Sequence, residues 1–73
     1  MIITGAQIRM ARAALRLQVS ELARRAGVRP NDITEIEADL VADHDVLAAI
    51  QQALEAAGAR FTGIGVEIIQ DPT

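Results

Sequence analysis

The sequence predicts a small all-α domain of four or five helices with one added C-terminal strand, and three observations predict it. Apolar residues recur at helical spacing through most of the chain, and glycines stand where periodic runs stop, at Gly27 and Gly58. Only in the tail RFTGIGVEII does the pattern change to β-branched residues in alternation. At 73 residues the chain makes one small domain, near the size where a single core is only marginally sufficient, so support from a second chain is expected.

The first helix opens in ITGAQIRMARAALR. Thr4 is a good N-cap, Gln7 stands three residues on to complete a capping box, and Ile3 can staple onto Ile8. Ile8, Ala11, Arg12 and Leu15 share one stripe, which puts an arginine on a core-facing line. A buried guanidinium must be paired, and its natural partner is an acid on another helix. A second helix, about 19–26, places Val19, Leu22, Ala23 and Ala26 on one side and ends at Gly27.

Pro30 suits the first turn of a third helix running to about residue 38, with Ile33 and Ile36 facing inward. Its most exposed line is Asn31, Glu35 and Ala38, flanked by Thr34 and Asp32, and Asp39 can close it in a left-handed conformation. After the connector LVA, Asp43 or Asp45 can cap the main core helix, which runs to about residue 57 with Val46, Leu47, Ile50, Ala53, Leu54 and Ala57 on one stripe. In the tail, Ile64, Val66 and Ile68 alternate with Gly65, Glu67 and Ile69. The sequence shows no second strand, so pairing with the same strand of another copy is the simplest way to satisfy its backbone, and a frayed tail is the alternative. The expected organisation is therefore a helical domain over 1–58 and a dimerisation strand over 59–73.

Composition narrows function. With no cysteine there is no disulfide framework or thiolate zinc site, and a reducing cytoplasm fits. No apolar run approaches the ~20 residues of a membrane span, and MIITGAQIRM lacks the regions of a signal peptide, so a soluble, cytoplasmic chain is expected. Phe61 is the one aromatic residue, which leaves base stacking on single strands almost nothing to work with. No nucleophile, base and orienter are combined, no phosphate loop is present, and the chain is too short for a deep substrate cleft. His44 has no second ligand type beside it, and Asp43 and Asp45 read as caps. The expectation is a protein without catalytic residues, metal, cofactor or small-molecule substrate.

The net charge of −3 hides a division. Six of the seven basic residues (Arg9, Arg12, Arg16, Arg24, Arg25 and Arg29) precede Pro30, and nine of the ten acidic ones follow it. Such asymmetry marks either an electropositive nucleic-acid face or two halves that pair inside the fold.

Leu22-Ala23, Ala26-Gly27-Val28, Ile33 and Ile36 have the physics of a helix-turn-helix: a small residue where two helices touch, a glycine in the turn, and two branched residues holding the second helix down. On these residues LARRAGVRPNDITEIEAD resembles the corresponding segment of Xre-type, phage-repressor-like transcriptional regulators. The likeness extends to ITGAQ, LEAAGARF and the late strand GVEII, the last resembling short regulators with a terminal strand. It implies a lambda repressor-like domain that binds duplex DNA, as a homodimer, with helix 30–38 in the major groove. It also implies that Arg12 and Glu37 form a structural ion pair between the first and recognition helices.

The implied DNA contacts carry over with gaps. The family's phosphate-binding glutamine at the start of the second helix is here Val19, with Gln18 before it as a substitute that caps the helix or touches phosphate. The base-reading positions are Pro30, Asn31 and Asp32, of which Asn31 can bond bidentately to adenine. Thr34 can meet a thymine methyl or a phosphate, and Glu35 can accept only from an amino group such as cytosine N4. Arg29 is placed for phosphate, with Arg9, Arg16, Arg24 and Arg25 as weaker candidates. Each has a plainer reading: arginines on helix surfaces pair at i,i+4, and Asn31 and Asp32 suit a helix start without any ligand. The acidic balance, Val19 and Glu35 favour the alternative function, a protein-interaction module, such as a heterodimer partner or antitoxin-like component, that keeps the scaffold but binds DNA weakly or not at all.

Overall fold

A computed structural model of the chain describes residues 3–40 and 43–69. Four helices, α1 (Gly5–Ala14), α2 (Val19–Ala26), α3 (Pro30–Glu37) and α4 (His44–Ala56), precede two short strands, β1 (Ala59–Phe61) and β2 (Val66–Ile68). None of the described helices is long and apolar enough to cross a membrane.

Local chemistry sets where the helices begin. At α1 the capping box is complete: Gln7 N donates to Thr4 Oγ1 at 3.2 Å and Thr4 N donates to Gln7 Oε1 at 2.9 Å. At α4 the cap is Asp43, whose Oδ1 accepts from the backbone of Asp45 at 2.9 Å and Val46 at 3.3 Å. Gln18 occupies the N-cap of α2 but makes no side-chain cap bond, so its expected capping role is not realised.

α1, α2 and α3 end in the same way, with a left-handed residue over which the chain folds back. Arg16 (φ 57°), Gly27 (φ 71°) and Asp39 (φ 60°) take that conformation. The following residue then donates into the helix: Leu17 N to Arg12 O at 2.9 Å, Val28 N to Ala23 O at 3.0 Å and Leu40 N to Glu35 O at 2.9 Å. These bonds satisfy carbonyls the helix would otherwise leave open. Of the connector LVA, Leu40 is exposed and Val41 and Ala42 lie outside the described residues.

α2 packs on both α3 and α4, and α1 packs on α3, α4 and β2. Their buried faces meet in one core of Ile8, Ala11, Leu22, Ala23, Ile33, Ile36, Leu47, Ile50 and Leu54, to which Ile3 and Leu17 add from outside the helices. Gly5 permits the closest approach: a Cβ there would overlap the Ile36 carbonyl oxygen and sit 3.0 Å from Glu37 Cα.

The tail departs from the sequence reading. β2 is paired within the chain, antiparallel to β1, in the register Ala59↔Ile68, Arg60↔Glu67 and Phe61↔Val66. The argument that β2 must seek another copy for want of an in-chain partner is thereby overturned. β1 escapes notice because three residues show too little alternation to be told from the end of a helix. Ala59 and Phe61 of β1 are buried in the same core as the helices. Ile64, expected in the strand, lies in the turn between β1 and β2 and is 93 % exposed. Gln7 fixes that turn, its Nε2 donating to the carbonyls of Thr62 at 2.8 Å and Gly65 at 3.0 Å.

Candidate functional site

The segment α2–Gly27–α3 is held by buried Leu22, Ala23, Ile33 and Ile36, with Val28 partly buried against them. Val19, where the resemblance would place a phosphate-binding glutamine, is partly buried against this packing. Arg29, Pro30, Asn31 and Thr34 are left exposed along the start and outer face of α3, with Asp32 and Glu35 partly buried beside them.

These side chains are already engaged with one another. Arg29 donates from Nη2 to Asp32 Oδ1 at 3.0 Å and from Nε to Oδ2 at 3.4 Å, while its backbone N–H reaches the same Oδ2 at 3.1 Å. That contact raises the Arg29 guanidinium further above its ordinary value and holds the Asp32 carboxyl below the usual carboxylate range. In both groups the largest cause is the side-chain hydrogen bond between them. Asn31 Nδ2 donates to Glu35 Oε1 at 2.8 Å, and Thr34 Oγ1 donates to Pro30 O at 3.2 Å. All three contacts have i,i+3 or i,i+4 spacing and agree with the plainer reading of these residues, local pairing and a helix start.

Elsewhere on this side, Glu21 draws two arginines, Arg25 at 3.2 Å and Arg24 at 3.9 Å. Arg24 stays 78 % exposed on its side chain and is free to swing toward a ligand, since so long and exposed a pair is weak. Arg16 is exposed at its left-handed position after α1. A small open hollow between α3 and α4 is lined by Asp32, Glu35, Ile36, Asp43 and Val46, which adds a third carboxylate to the acidic flank of α3.

Arg12 and Glu37 meet across the core edge with two parallel bonds, Nε to Oε2 at 2.8 Å and Nη2 to Oε1 at 3.1 Å. Arg12 Nη1 also donates to Leu17 O at 3.2 Å. The fork ties α1 to the end of α3 and closes the chain after α1, and the Glu37 hydrogen bond is the largest influence raising the Arg12 pKa. Arg9 donates from Nη1 to the Glu37 carbonyl, so two arginines of α1 meet the negative end of α3. Arg9 is thereby drawn into a structural contact, and Gln7 into a buried hub; both roles depend on long-range contacts that no local spacing announces. Comparison with protein families and with curated proteins gives no match.

Proposed function

We propose that the chain is a sequence-specific duplex DNA-binding transcriptional regulator, of the Xre-type, phage-repressor-like kind, with α3 entering the major groove. One observation carries the reading. α2 and α3 are locked together through a left-handed glycine turn and a shared apolar core, while the outward side of α3 presents Arg29, Asn31 and Thr34 and buries none of them. Arg29, with Arg16 and Arg24, supplies phosphate contacts, and Asn31 meets base edges.

The active species is a homodimer. Among the described residues β2 has one neighbour in its sheet, and the bonds Ile69 N to Gly58 O and Thr62 N to Gly65 O set an alternation that turns the backbone of Val66 and Ile68 toward the edge that no described strand pairs. A second β2 can add there, with exposed Ile69 beside it.

Binding of labelled duplex of mixed sequence tests the reading. With about six phosphates neutralised by the dimer, affinity falls on the order of a thousandfold between about 50 and 200 mM salt. A chain that sediments as a dimer yet shifts no duplex at the lowest salt sinks it. That result would favour the second reading, a protein-interaction module, which is supported by one specific feature: the two groups best suited to phosphate and base, Arg29 and Asn31, are each held by a carboxylate.

A further inference from the structure

We infer that Glu35 determines which bases α3 accepts, by fixing the orientation of the Asn31 carboxamide so that it reads an exocyclic amino group. The inference rests on the DNA-binding reading above and deepens it.

A carboxylate only accepts hydrogen bonds, so it can engage only the nitrogen end of an amide. The bond from Asn31 Nδ2 to Glu35 Oε1 at 2.8 Å therefore selects one of the two amide orientations, and it leaves Oδ1 as the end turned away from Glu35. The other polar groups of this face reinforce that choice. Thr34 spends its hydroxyl proton on Pro30 O, and Arg29 directs Nε and Nη2 to Asp32. Around Asn31 the helix thus presents mainly acceptors: Asn31 Oδ1, the second oxygen of Glu35 and the Thr34 lone pairs.

In the major groove the partners for acceptors are adenine N6 and cytosine N4, whereas guanine O6 and thymine O4 are themselves acceptors and would face a carboxylate. Adenine or cytosine is accordingly favoured over guanine or thymine on the strand that Asn31 faces. Glu35 is then a positioning residue. It weakens attraction to phosphate for every sequence, and it gives discrimination in return.

The test compares wild type with Glu35→Gln and Asn31→Ala, each shown to be folded by circular dichroism, in selection from a randomised duplex followed by competition among duplexes differing at the enriched position. The wild type is expected to enrich adenine or cytosine at one position of each half-site, by about tenfold over guanine or thymine. Gln at 35 can donate as well as accept, so Asn31 is free to turn, and E35Q is expected to bind all duplexes more tightly while its preference falls below about threefold. Asn31→Ala is expected to lose the preference without that general gain. Enrichment of guanine or thymine, or an E35Q protein that keeps the wild-type preference, overturns the inference while leaving DNA binding intact. Absence of binding to any duplex at low salt overturns both.

Discussion

Arg12 shows how much one side chain can carry. Its fork to Glu37 and its bond to Leu17 O join α1, the end of α3 and the turn between α1 and α2. Removing it leaves the Glu37 carboxylate, on a residue that is only 8 % exposed, with Arg9 bonded to its carbonyl and not to its charge. Arg12→Ala is expected to destabilise the fold by about 2–4 kcal/mol, since the loss of one partner of a largely buried pair exceeds the net worth of the pair itself. Thermal unfolding checks this, and an unchanged Tm contradicts the assignment. The position of Arg12 on the apolar stripe of α1 was readable from spacing alone, and Glu37 from the resemblance. Reach, geometry and the extra bond to Leu17 required the packed helices.

At the scale of elements, the hairpin is fastened to the start of α1 by a single amide. Gln7 is 1 % exposed and satisfies Thr4 N, Thr62 O and Gly65 O together. Gln7→Leu keeps the size of the side chain but strips a part-buried backbone donor and two part-buried carbonyls of their partner. It is expected to cost about 2–4 kcal/mol, and hydrogen exchange should show the β1–β2 hairpin opening before α2 and α3. Uniform protection loss across the chain would mean that the hairpin is held by its apolar face alone. The sequence contained half of this: Thr4 and Gln7 announce a capping box, and that box is formed. The other half joins residues more than 50 positions apart, which a local pattern cannot encode.

For the whole molecule, the division of charge resolves into pairs of two kinds. Arg12–Glu37 joins distant helices across the division at Pro30, whereas Arg29–Asp32, which straddles the same point, and the bonds of Glu21 to Arg24 and Arg25 are local. Acid stability should register the first of the exposed local pairs. The Asp32 carboxyl is held below its ordinary value by Arg29, so its contribution is present in full above the ordinary carboxylate range and is lost as pH falls through the depressed folded value. Asp32→Asn should therefore have a lower Tm than wild type near neutral pH, and the gap should close on acidification below about pH 4. A gap that is independent of pH would assign the effect of Asp32 to shape and capping instead of charge.

The sequence by itself determined the four helices, the capping box of α1, the choice of α4's cap down to Asp43 or Asp45, and the stops of α2 and α3, but not the left-handed stop at Arg16 or the uncapped start of α2. Those features depend on residues within one or two turns of each other: Thr4 with Gln7, Asp43 with the start of α4, Gly27 and Asp39 after the helices they end. It also determined the inward faces of α2, α3 and α4, because helical period fixes which side chains share a side. Tertiary structure alone decided that β2 pairs with β1, that Ala59 and Phe61 enter the core, that Gln7 holds the turn beside Ile64, and that Gly5 lets α1 touch the end of α3. The β1–β2 pairing is short in range but its three-residue strands show too little alternation to announce it; the others join residues distant in sequence, and such contacts are chosen by the competition among whole arrangements for the same buried space and the same backbone partners.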